Sequence, residues 1–172
     1  MRSSPFCVSV TDLVRAPGNR KRVQAAGRIA DLSVTSARVV PGSDVGVEAV
    51  LDAMSEDAIL ATGTVTATWE GECRRCLGPA TGTITVEVRD IFDATGDTEE
   101  TYPLRGDQVD LEPLARDAVM LELPQAPLCS EECAGLCEMC GANRNDSDCG
   151  HRPDTTDPRW AALDELRSET TE

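Results

Sequence analysis

The 172-residue sequence predicts an α+β fold: an antiparallel β-sheet domain with one packed helix, then a cysteine-rich module and a C-terminal helix. Three observations carry this. Apolar and polar residues alternate through residues 64–73 and 83–88, the period-two mark of strands with one buried face. Apolar residues then recur at helical spacing near 110–123. After Pro127 that pattern gives way to five cysteines within 21 residues. The boundaries expected are 1–128 for the sheet domain and 129–172 for the module with its helix.

Element by element, FCVSVTDLV reads as a strand running into a short helical turn, with Thr11 as its cap and Asp12 at its positive end. Pro17, Gly18 and Asn19 break it. Residues 44–93 read as β structure. In GTVTATWEGEC, Val65, Ala67, Trp69, Gly71 and Cys73 share one face, and Ile84, Val86 and Val88 share another. ECRRCLGPATG between them is turn-rich, which predicts a hairpin with Cys73 and Cys76 at its tip. An earlier strand with Val45 and Val47 pairs alongside, and Trp69 belongs in the core. DATGDTEETYPLRGDQ reads as an exposed connection. The helix follows, with Leu111, Leu114, Ala118 and Leu121 on its apolar face, Asp110 as N-cap, and Pro124 and Pro127 as stops. DPRWAALDELRSE reads as the final amphipathic helix, capped by Asp157 with Pro158 in its first turn and Trp160, Leu163 and Leu166 on one side.

Composition narrows the chemistry. Aromatics are only 3%, so the core must be built from Val, Ile, Leu and Ala. No stretch approaches the roughly 20 apolar residues of a membrane span, and the first residues do not resemble a targeting segment. The expected location is the cytoplasm, where thiols stay reduced and clustered cysteines indicate metal or redox chemistry. Cys7, standing alone, fits a simple buried thiol. The net charge of −15 opposes general nucleic-acid binding. It is unevenly spread: residues 1–28 carry six basic residues against one acid, giving +5, and the rest of the chain carries −20. Arg15, Arg20, Lys21, Arg22 and Arg28 in that segment form either a solvated loop or a local anion-binding patch.

The module reads Cys129-x3-Cys133-x3-Cys137-x2-Cys140-x8-Cys149-x-His151. Thiolates and imidazole in fours are what tetrahedral zinc prefers, and a segment this short would draw folding free energy from the metal. Cys137 and Cys140 followed by Gly141 have the form of a zinc knuckle, and Cys149 with His151 can complete it. Cys129 with Cys133 and Cys73 with Cys76 are each half a site. Two zinc ions are therefore expected, one on Cys73, Cys76, Cys129 and Cys133, the other on Cys137, Cys140, Cys149 and His151. The first would tie the module to the hairpin tip, and closing that loop would stabilise by roughly 4 kcal/mol, by analogy with a disulfide. The alternatives are a single C-terminal site with Cys73 and Cys76 as a redox pair or simple thiols, and an iron–sulfur cluster in place of zinc. No P-loop, G-x-S-x-G or dinucleotide fingerprint occurs, and saturated thiolate sites leave no open position, so no enzyme and no small-molecule substrate are expected.

ECRRCLGP, the helix ending in LPQAPLC, the run CSEECAGLCEMCGANRN and the closing DPRWAALDELR together resemble the YceD family of large ribosomal RNA subunit accumulation proteins. The resemblance runs from about Thr64 onward. Family members often close the module with Cys-x-Cys where this chain has Cys149-Gly150-His151, a change that imidazole ligation accommodates. They often show Asn-Leu-Asn where this chain has Asn143-Arg144-Asn145. The resemblance implies a role in accumulation or processing of large-subunit (23S) ribosomal RNA, with that RNA or its precursor as partner. A chain of −15 then needs a local basic face, for which Arg74 and Arg75 at the hairpin tip and Arg20, Lys21 and Arg22 are the candidates. The competing expectations are an acidic adaptor for a basic ribosomal protein and, behind it, a zinc or redox sensor.

Overall fold

A computed structural model describes residues 4–15, 18–94 and 101–152. The expected helix at 157–169 and the break at Pro17 lie outside the described residues. In chain order the elements are β1 (Cys7–Ser9), α1 (Thr11–Val14), β2 (Arg20–Gly27), β3 (Ala37–Val39), β4 (Val45–Ala53), β5 (Ala58–Glu72), β6 (Pro79–Asp93), β7 (Tyr102–Arg105), β8 (Gln108–Asp110) and α2 (Glu112–Glu122). The chain is mostly β-sheet with few helices. It divides into two compact units. One runs to Arg74 and from Gly78 to Glu131, and the other comprises Arg75–Leu77 and the chain from Glu132 onward. Among the described residues no helix is long and apolar enough to cross a membrane.

The first unit is organised around the β5–β6 hairpin. Its arms pair without interruption from Ala58↔Asp93 to Glu72↔Pro79, so the alternation sets one face inward over the whole length. Val65, Ala67, Ile84, Val88 and Phe92 are buried. Each large apolar side chain removed from water contributes about 1.5–3 kcal/mol. The strand order is β1-β8-β7-β6-β5-β4-β2, with β3 pairing β5 beside that path. On β4, Val45, Val47, Ala49, Leu51 and Ala53 all point into the core. Trp69 is half-buried and packs against that core. The β6–β7 pair is parallel, at Phe92↔Tyr102 and Asp93↔Pro103, a departure from an all-antiparallel sheet.

Several local expectations are corrected. The basic segment is not a loop: Arg20, Lys21 and Arg22 lie on β2, which pairs with β4 over eight positions. The supposed exposed connection contains β7 and ends on the first residue of β8. Thr11 is the first residue of α1 rather than its cap, and its hydroxyl donates to Asp107. At α2 the N-cap position is Leu111, although the Asp110 carboxylate still accepts the Glu112 N–H at 3.1 Å. The helix buries Leu114, Ala115, Ala118 and Val119, while Leu121 is 86% exposed. At 3.6 residues per turn Leu121 falls roughly 90° from the centre of that stripe. Leu123 turns to an extended conformation, as a residue before proline must, and ends the helix.

Candidate metal centres

Two Cys-x2-Cys turns of this chain are built alike. Between β5 and β6, the Cys73 N–H donates to the Gly78 carbonyl at 2.8 Å. In the second unit, the Cys137 N–H donates to the Ala142 carbonyl at 2.8 Å, again five residues on, and the Gly141 N–H returns to the Cys137 carbonyl at 2.8 Å. The residue after the second cysteine has positive φ in both turns, +58° at Leu77 and +72° at Gly141. Glycine suits that conformation because it has no Cβ to clash. A short bridge at Leu136↔Asn143 joins the arms that flank the Cys137–Cys140 turn. The Asp148 carboxylate accepts the Gly150 N–H at 2.9 Å, turning the chain between Cys149 and His151.

The ligand atoms gather in two groups. The sulfurs of Cys73, Cys76, Cys129 and Cys133 lie within 4.8 Å of one another, and so do those of Cys137, Cys140 and Cys149 with an imidazole nitrogen of His151. All eight cysteines are free thiols. Four ligands about 2.3 Å from one tetrahedral ion stand about 3.8 Å apart, so both groups have the dimensions of a four-coordinate site. Both can hold a metal ion. Cys73, Cys133 and Cys137 are buried, whereas Cys129, Cys140 and His151 are exposed.

The surroundings favour thiolates. Backbone N–H groups of Cys140 and Met139, with the Cys149 thiol, hold the Cys137 thiol down to about 6. It therefore presents a thiolate at neutral pH before any metal arrives. For Cys149 the His151 N–H pulls down, but Cys137 and burial together push it above its ordinary value. One partner escaped the sequence reading. The Asn145 side chain donates to the Cys133 sulfur at 3.3 Å, while its carbonyl oxygen accepts the Ala134 N–H at 2.7 Å and its amide also donates to Asn143 at 2.8 Å. An outer hydrogen bond of this kind fixes a ligand's direction. The hints the sequence offers are an asparagine twelve positions past a ligand cysteine and the Asn143-Arg144-Asn145 run that matches the family's Asn-Leu-Asn at its two asparagines. Cys7 stands apart on β1, its thiol pushed up by burial and by Asp110.

The basic candidates divide between places. Arg20 pairs with Asp52 at 2.8 Å, and the Lys21 ammonium donates to the Ser9 carbonyl at 2.7 Å. Arg22, Arg15 and Arg28 are exposed. In register, Arg20 faces Asp52 and Asp52 faces Leu60, twelve residues before Glu72 along β5. That is roughly 40 Å of extended strand from Arg74, so the β2 cations and Arg74 do not form one patch. Arg74 and Arg75 are exposed. The Arg75 guanidinium donates to the Cys133 carbonyl at 3.2 Å and its own carbonyl accepts the Leu136 N–H at 3.1 Å.

The chain is similar to proteins of mycobacteria. Uncharacterized proteins of Mycobacterium tuberculosis and Mycobacterium bovis are each 36% identical over 95% of this chain and 82% of their own length. One of Mycobacterium leprae is 32% identical over 95% of this chain and 78% of its own. No solved structure matches. Residues 61–167, a span that includes every residue of both ligand groups, match the family described as large ribosomal RNA subunit accumulation protein YceD, and the chain belongs to that family.

Proposed function

We propose that this protein is a cytoplasmic, non-enzymatic ribosome-assembly factor that supports accumulation or processing of large-subunit (23S) ribosomal RNA, with two structural zinc ions completing its fold. The family match over residues 61–167 is the observation that carries this reading. Zinc is favoured by the donor sets, four thiolates in one group and three with an imidazole in the other. Four protein ligands leave no position for substrate or water, which favours a structural ion. Depleting the protein should lower mature large subunits and accumulate precursor RNA. Unchanged subunit profiles after complete removal would end the proposal.

A direct RNA contact is the narrower part. Arg74 and Arg75, both exposed at the turn between β5 and β6, are its leading candidates; Arg20 pairs with Asp52, Lys21 with the Ser9 carbonyl and Arg75 with the Cys133 carbonyl. Arg74→Glu with Arg75→Glu should weaken binding to deproteinised large-subunit RNA and flatten its salt dependence by about two units of slope, one per lost phosphate contact. An unaltered slope would remove both residues from the interface. The −20 charge outside residues 1–28 favours a second reading, an acidic adaptor that attracts a basic ribosomal protein. A partner that stays bound through nuclease treatment would support the adaptor.

A further inference from the structure

Of the differences between the two alike turns, the one at the positive-φ position is costly to the fold. Gly141 occupies the positive-φ position of one, and Leu77 occupies it in the other. Among the described residues only Asp31 and Leu77 are non-glycine residues at positive φ. An aspartate tolerates that region through local hydrogen bonding, but leucine has no such compensation. Nor does Leu77 serve the core, for it is 59% exposed. A strained apolar side chain held at the tip of a turn that a metal would rigidify needs a use outside the packing. Its sequence neighbours are Arg74 and Arg75, both exposed, on a protein whose net charge is −15.

We infer that Leu77 is a contact residue for single-stranded large-subunit RNA, the apolar centre of a patch whose cations are Arg74 and Arg75. This rests on the reading of the protein as a ribosomal-RNA factor and names where it would touch. Two guanidinium groups beside the leucine repel a basic protein and attract phosphates. The Arg74 plane can stack on an unpaired base while the leucine covers a base face, and Arg75, whose guanidinium donates to the Cys133 carbonyl, adds positive charge. Among the described residues aromatic platforms are scarce: Phe6 and Phe92 are fully buried, Trp69 packs against the core, and the Tyr102 hydroxyl is bonded to Asp117. Within those residues base contacts would fall mainly to aliphatic and guanidinium groups. A turn already fixed by metal loses little freedom on binding, which favours affinity from a small patch.

The test uses the full zinc-loaded chain and deproteinised large-subunit RNA. Leu77→Gly and Leu77→Asn both suit positive φ, so each should keep two ions per chain and an unchanged or higher thermal midpoint. Each should nonetheless weaken RNA binding about tenfold. Wild-type affinity in both variants overturns the inference, and so does loss of metal or a lowered midpoint, which would make the leucine a packing residue. A wild-type chain that binds no RNA also overturns it, and the assembly role is then decided separately by the depletion experiment.

Discussion

Replacing Cys137 with serine is expected to halve the bound metal, from two ions per chain to one, and to unfold residues 136–152. The reason is what the second unit lacks. Its buried hydrophobic residues among those described are Cys76, Cys133 and Cys137, all thiols in the two ligand groups. The aliphatic core ends at Leu123. Ordering each residue costs about 1–2 kcal/mol of backbone entropy, and a few exposed turns cannot offset that without a metal. Structural zinc in small modules supplies apparent binding free energies of about 10–16 kcal/mol at neutral pH, enough to decide whether such a segment folds. Cys137 is the ligand to choose, because it is buried and its backbone contacts already favour the thiolate. Hydrogen exchange should show protection lost over 136–152 while amides of the β5–β6 hairpin remain protected. Metal content measured on the same sample should read one. Two ions retained by the variant would show that Cys137 is not a ligand.

What was legible at these centres was the chemistry, not its supports. Clustered thiols that stay reduced have few uses, and on that expectation spacing alone points to Cys137 with Cys140 and to the distant pairs Cys73–Cys76 and Cys129–Cys133. Asn145 stood out only as part of the Asn143-Arg144-Asn145 run; its bond to the Cys133 sulfur was not legible, because it depends on a turn whose hydrogen bonds no local pattern announces. Leu77 was read only as part of a turn. Its meaning comes from a dihedral angle and from comparison with Gly141. The basic segment shows the opposite case. Arg20 and Lys21 looked like a free cationic run, yet cross-strand register sets Arg20 opposite Asp52.

The fold was legible where alternation was long. β5 and β6 repeat their pattern over many residues and depend on little else. β2 is harder to see because Val23 and Gly27 are its buried positions, with polar or small residues between. β7 and β8 are short, contain Pro103, and turn at Gly106 with φ +62°, so the sequence reads as loop. Their strand character comes from pairing with each other, with β1 and with Phe92 on β6, contacts that a window along the chain does not include.

Gly63→Ala is expected to be the most damaging small change in the sheet, costing about 3 kcal/mol and lowering the thermal midpoint by roughly 10 °C. Gly63 sits in the middle of β5, opposite Ala49 on β4 and Val88 on β6. A Cβ there would lie 2.0 Å from the Glu48 carbonyl oxygen and 2.6 Å from the Ala49 Cα. Both are backbone atoms held by the β4–β5 ladder, so no rotamer change can relieve the overlap and the strands must separate. Gly82 provides the control. A Cβ there would meet the Trp69 ring at 2.9 Å, but that ring is a half-buried side chain with room to tilt. Gly82→Ala should cost about 1 kcal/mol or less. The decisive comparison is thermal unfolding of the two variants followed by far-ultraviolet circular dichroism. Equal midpoints would mean that β4 and β5 are not pressed together at Gly63. A large loss confined to Gly63→Ala would place the glycine there for the close approach of two backbones, the usual reason for glycine inside a long strand.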